Sequence, residues 1–172
     1  TVVDLIAQED GPTVTDIATS TDVDASDVAV YTISTPPALG TAMIDTVTGV
    51  YSYNPGSEFQ DLADGESTTV TFDITVNDLN GGTDTQTVTV TVNGTNDAPE
   101  LTVENISAVE DGPAVTGQAT TADADTSDTH TYSISAAPAL GTATIDGAGQ
   151  YTYNPGAEFQ WLSAGETTTV SF

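Results

Sequence analysis

The side chains able to do chemistry in this sequence are almost all carboxylates, and they come in short groups. Glu9-Asp10 is followed by Asp22, Asp24 and Asp27, then Asp64 and Glu66, then Asp78, then Asn96-Asp97. Related groups return as Glu110-Asp111 and as Asp123, Asp125 and Asp128. Twenty-six Asp and Glu stand against one His and no Lys or Arg, so the formal charge is −26 and only His130 offers a basic side-chain partner. Crowded carboxylates with no basic partner must be relieved by water, hydrogen bonds, protonation or a metal cation. Carboxylate and amide oxygens are hard ligands, and a flexible shell of about six to eight of them suits Ca2+.

The same composition excludes several functions. Nucleic acid binding rests on neutralising phosphates with Lys and Arg, and the chain has neither. An anionic membrane surface is disfavoured for the same reason, and no apolar run is long enough to insert into a bilayer. There is no Lys or Cys nucleophile and no Arg clamp, so enzymatic catalysis is not expected. Without Cys there is neither a disulfide nor a thiolate zinc site. No leader peptide opens the chain, which begins at Thr1 in mid-phrase as a piece of a longer protein would.

The elements that position the acids follow a period of two. Val70, Phe72, Ile74 and Val76 alternate with Thr and Asp, and Val88, Val90 and Val92 alternate with Thr. That pattern predicts half-buried antiparallel strands, apolar inside and Thr outside. Tyr31 and Ile33, Ala42 and Ile44, and Tyr51 and Tyr53 share phases in the same way. Asn54-Pro55-Gly56 and Asn80-Gly81-Gly82 read as turns. Ala7-Gln8-Glu9-Asp10-Gly11-Pro12 returns as Ala108-Val109-Glu110-Asp111-Gly112-Pro113, and Tyr51 to Gly56 returns as Tyr151 to Gly156. Between these anchors the offset drops by one where Thr46 to Gly49 faces Gly147 to Gly149, which marks a surface turn. Residues 1–95 are therefore expected to form a first repeat, 96–100 a linker, and 101–172 a second repeat lacking its last strands.

Roughly seven short strands in about a hundred residues predict an all-β, immunoglobulin-like sandwich. Alternating strand directions send Glu9, Asp10, Asp64, Glu66, Asn96 and Asp97 to one end of the first repeat. Asp22, Asp24, Asp27 and Asp78 go to the other end. End-to-end repeats then bring Asp123, Asp125 and Asp128 to the Glu9 group, where a divalent cation would relieve the repulsion. A merely solvated, acidic surface is the plainer alternative, and the placement of the acids favours the metal.

The run from Asn80-Gly81-Gly82-Thr83 through Thr87 to Gly94-Thr95-Asn96-Asp97-Ala98-Pro99 resembles the end of a VCBS repeat. Such cadherin-like modules stand in tandem in giant secreted bacterial proteins, RTX adhesins among them. The resemblance covers nearly the whole chain. It implies a surface-adhesin extender, exported to the bacterial cell surface, that supports adhesion and biofilm formation with neighbouring repeats of the same array as partners. The similarity to cadherin calcium motifs implies ligands at Glu9, Asp64 with Glu66, Asn96 with Asp97, and Asp123 with Asp125. Asp78 matches the late Asp of the same motif set, Asp22 and Asp24 are the first-repeat counterparts of Asp123 and Asp125, and Glu110 is that of Glu9. The second repeat departs from the pattern at Ala164, where the first has Asp64.

Other residues invite a functional reading. His130 shares the inward phase of Tyr132 and Ile134, so packing is expected rather than catalysis. Trp161 could stack on a sugar, and a loop aromatic capping the sandwich is the expectation preferred here. Asp22 and Asp24 could mimic a glycosidase pair, but adjacent acids in a turn usually bind metal or water, and no other part of a sugar-binding cleft is visible. The competing function class is a binding or self-assembly module that recognises glycans or exchanges strands with other copies. Most aromatics fall on core phases, which favours the extender.

Overall fold

The computed structural model describes residues 1–24 and 26–172. Its described residues contain strands and no helix. They group into two compact units, Thr1–Asp97 with Ala124–Ser127, and Ala98–Asp123 with Asp128–Phe172.

In the first unit the strands are β1 (Leu5–Gln8), β2 (Val14–Ile17), β3 (Val30–Thr35), β4 (Thr41–Ile44), β5 (Val50–Asn54), β6 (Ser67–Asn77) and β7 (Thr83–Asn93). They form one sheet in the order β1-β7-β6-β3 and another in the order β2-β5-β4. The period-two pattern sets the core. Val88, Val90 and Val92 of β7 are wholly buried, as are Tyr51 and Tyr53 of β5, and Phe72 meets Tyr51 edge-on at 6.1 Å. Each buried valine contributes on the order of 1.5–3 kcal/mol.

The tyrosine hydroxyls are not stranded in that core. Tyr53 donates to the Leu39 carbonyl at 3.0 Å, and Tyr51 donates to the Val3 carbonyl at 2.5 Å. Burial pushes the Tyr53 phenol up to about 12, with the nearby Glu58 charge adding to the effect.

One ladder departs from the antiparallel expectation. β1 pairs with β7 in parallel, from Leu5 opposite Val90 to Gln8 opposite Asn93. The chain reverses an even number of times between them, so first and last strands run the same way. The remaining ladders of this unit are antiparallel, the longest being the β6–β7 hairpin.

At the β4–β5 turn, Asp45 Oδ1 accepts the Thr48 and Val47 amides, which hold its carboxyl below the usual aspartate range. Gly49 closes that turn at a φ of 73°, where a Cβ would lie 2.5 Å from the Ala18 carbonyl oxygen.

The second unit holds β8 (Glu100–Val103), β9 (Val115–Ala122), β10 (Thr142–Ile145) and β11 (Gln150–Asn154) in one antiparallel sheet, β10-β11-β9-β8. Three of these match β4, β5 and β2 in sequence, and the local devices repeat with them. Tyr153 donates to Leu140 O as Tyr53 does to Leu39 O, and Gln160 donates to Asp111 as Gln60 does to Asp10. The other sheet is a different matter. Residues 155–172 contain no strand, and neither do residues 131–136, the counterpart of β3. In the first unit β3 is held by β6. Without a paired β6 counterpart, residues 131–136 have no ladder to join.

Candidate metal centres

The first centre is built where β1 and β7 finish side by side. The Glu9 amide donates to the Asn93 carbonyl at 3.0 Å, which carries the chain from β1 past the end of β7. That placement buries Glu9 to 1% exposure. Its Oε1 accepts from the Thr95 amide at 2.6 Å and from the Thr95 hydroxyl at 3.1 Å. Its Oε2 is buried with no hydrogen-bond partner.

Two residues further on, the Asp97 amide donates to Asp125 Oδ2 at 2.7 Å. Asp125 is also only 1% exposed, and residues 124–127 group with the first unit. Glu66 reaches the same region through its backbone, since its carbonyl accepts the Gly94 amide. Its exposed side chain receives the Ala63 amide at 3.1 Å, and Asp64 lies exposed on the same turn. Asn96 is exposed and donates its side-chain amide to the Asp97 carbonyl.

Asp10, expected in the same group, is engaged in pinning Gln60. Glu9, Asp97 and Asp125 are therefore the acids drawn inward, while Asp64, Glu66 and Asn96 sit at the surface. The donor set is oxygen only and anionic, and a buried orphan oxygen is costly unless something positive meets it. These residues fit a hard divalent cation.

The second centre sits at the opposite ends of the strands. Carboxylate oxygens of Asp22, Asp27 and Asp78 all lie within 4.8 Å of one another. Asp78 directly follows β6, and its Oδ1 accepts the Asn80 and Gly82 amides at 2.8 Å each, which lowers its pKa. Gly82 leaves room for that carboxylate, since a Cβ there would lie 2.3 Å from Asp78 Oδ2 and displace it. Asp22 Oδ1 accepts the Asp24 amide at 2.9 Å. Asp24 thus contributes backbone to the turn and presents an exposed side chain outside the trio, and Asp27 takes the place that the Asp-x-Asp spacing gives to Asp24. The signal for Asp27 was its membership of the same acidic group.

In the second unit, Glu110 repeats part of the Glu9 arrangement: its Oε2 is buried with no hydrogen-bond partner. Asp123 lies 3.5 Å from His130 Nε2, with its own side chain only 5% exposed. That contact is more specific than the packing role expected for His130. Trp161 is 61% exposed, so it does not cap the sandwich as expected. Its counterpart in the first unit, Asp61, is also exposed, and this loop position points to solvent in both.

A protein-family model described as Bacterial Ig domain matches residues 1–91 and again residues 96–172. The chain belongs to the bacterial Ig domain family. No curated protein matches it. Among solved structures, these bacterial Ig domains are similar to extracellular cadherin domains 3–6 of protocadherin gamma B2. The TM-score is 0.55 at 16% identity, covering 92% of this chain and 38% of that one. Cadherin domains 1–5 of the same protein give 0.54 at 15% identity over 92% of this chain and 32% of that one. This likeness shows the fold, all-β and cadherin-like, and the chain spans well under half the length of either structure.

Proposed function

We propose that these bacterial Ig domains, residues 1–95 and 101–172 joined by 96–100, are extracellular structural extenders ordered by Ca2+, in the manner of VCBS-type adhesin repeats. The observation that carries this reading is the burial of Glu9, 1% exposed and with its Oε2 lacking a hydrogen-bond partner, in a chain with no Lys or Arg. A buried carboxylate without a compensating partner is strongly disfavoured. A cation held by Glu9, Asp97 and Asp125 would neutralise that charge and pin the segment through which the sequence passes from one repeat to the next. Asp22, Asp27 and Asp78 would hold a second ion.

Bound calcium supplies charge compensation and oxygen coordination, not chemistry on a substrate. The chain's own residues do the rest: Thr95 orients Glu9, and the Asp97 amide orients Asp125. Calcium is scarce inside cells and abundant outside, so the same acids would leave the chain loosely ordered before export and firm afterwards.

Calorimetric titration with CaCl2, combined with hydrogen exchange, tests the reading. Saturable binding should slow exchange at the amides of Thr95 and Asp97. Absence of binding at millimolar calcium, or binding with unchanged exchange at those amides, would sink it.

A further inference from the structure

Asparagine followed by glycine is a reactive pair, because without a Cβ the glycine nitrogen swings easily onto the asparagine side-chain carbonyl. The sequence holds this pair twice, at Asn80-Gly81 and at Asn93-Gly94. The fold treats the two differently. Asn93 ends β7 paired with Gln8 on one side and Ser67 on the other, and its carbonyl accepts the Glu9 amide. Gly94 is buried, and its amide donates to the Glu66 carbonyl at 3.0 Å. A Cβ at Gly94 would lie 2.2 Å from the Leu62 carbonyl oxygen, so the backbone there has no room to turn.

Asn80-Gly81 lies in the turn that joins β6 to β7, where residues 79–82 are all exposed. Gly81 has a φ of 111°, and a Cβ built on it meets nothing within 4 Å. Its amide faces the Asp78 carboxylate within the same turn, and the β6–β7 ladder closes at Asn77 and Thr83 without it. Leu79 beside it is left-handed at a φ of 65°, a costly conformation for a residue with a Cβ. The turn is open, solvated and already under strain.

We propose that Asn80 is a site of spontaneous self-modification, converting to aspartate and isoaspartate in the folded protein, while the fold protects Asn93. The Gly81 nitrogen bonds to the Asn80 side-chain carbonyl carbon, the bond from that carbon to Nδ2 breaks, and ammonia leaves with the Gly81 amide proton. Water then opens the resulting succinimide. Aspartate forms when the new bond breaks, and isoaspartate when the original peptide bond breaks. No enzyme, oxidant or cofactor takes part. The product has consequences for its surroundings. Asp78 is held by the Asn80 and Gly82 amides, and isoaspartate adds a methylene to the backbone between them. Either product also adds a negative charge beside the Asp22, Asp27 and Asp78 group. The turn that positions Asp78 therefore loosens as the protein ages.

The full 172-residue protein, aged at mildly alkaline pH and read by tandem mass spectrometry, tests this against synthetic peptides spanning residues 76–86 and 89–98. Asn80 should gain the mass of an amide-to-acid conversion at a rate within about threefold of its peptide. Asn93 should convert about tenfold or more slowly than its own peptide, because it reacts only after local opening. In the aged protein, hydrogen exchange should quicken at the position 80 and Gly82 amides while Val88, Val90 and Val92 keep their protection. Asn80→Gln, whose longer side chain does not form the five-membered ring, should stay unconverted and keep the slower exchange at Gly82. The proposal is overturned if Asn80 is protected as strongly as Asn93, if Asn93 converts first, or if conversion leaves exchange in the turn unchanged.

Discussion

Glu9→Gln separates the energetic role of the buried charge from its role as a ligand. The carboxylate is 1% exposed, one oxygen accepts two bonds from Thr95, and the other has no hydrogen-bond partner. Gln keeps the size and the acceptor for Thr95 while removing the charge. An unsatisfied buried polar group costs about 1–3 kcal/mol. Gln still leaves one unpaired polar atom there but buries no charge, which costs more than a neutral group, so the variant should be more stable than wild type in chelator by about 1 kcal/mol or more. For a unit of this size each kcal/mol moves the melting temperature by about 4–8 °C. Calcium narrows or cancels that advantage. At free calcium about a hundred times the dissociation constant, binding adds about 2.7 kcal/mol. If losing the charge weakens that site about tenfold, the gain falls to about 1.4 kcal/mol, a deficit of about 1.3 kcal/mol. Scanning calorimetry of both proteins, in chelator and in calcium, reads all four states. A variant less stable than wild type in chelator, or one that gains as much from calcium, would refute the reasoning.

Two further outcomes follow from the geometry. Gly49→Ala should destabilise the first unit by about 1–3 kcal/mol, because the residue is left-handed and the added Cβ meets the Ala18 carbonyl. Gly147→Ala, where a Cβ meets nothing within 4 Å, should change urea stability by less than about 1 kcal/mol. Equal costs at the two sites would contradict this account of the turn. Tyr53 should ionise last among the tyrosines of the first unit, near pH 12, and Tyr53→Phe should remove that step from the phenolate absorbance titration. Its folded pKa is raised, so its contribution is complete below about pH 10 and is lost as pH climbs through about 12. A single tyrosine transition near pH 10, unchanged by the substitution, would show the hydroxyl to be solvated.

The strands of the first unit were legible because period-two alternation is a direct consequence of the pleat, and Val88, Val90 and Val92 display it without interruption. Alternating strand directions were enough to bring Asp22 and Asp27 together with Asp78 from two distant stretches. The hydrogen bonds that decide which acids turn inward were not legible. Nothing in the spacing distinguishes buried Glu9 from exposed Asp64, because the difference lies in the Thr95 donors and in where β1 stops beside β7. Asp24 and Asp27 exchanged roles because the Asp22 carboxylate binds the Asp24 amide and closes the turn locally. Residues 131–136 have the alternation of β3 yet form no strand, since a strand exists by virtue of its neighbour and their sequence cannot supply one.

The parallel ladder between β1 and β7 has a mechanical consequence. A pull applied to the start of β1 and to the end of β7 draws two parallel strands in opposite senses along their shared axis. The pairs from Leu5–Val90 to Gln8–Asn93 are then loaded in shear, all at once. An antiparallel pairing of the same two strands would place both pulling points at one end, and the bonds would open one after another like a zip. Glu9 and Thr95 lie immediately beyond this ladder and tie β1 to the segment that leaves β7. A domain wired in this way resists tension along the chain before it yields.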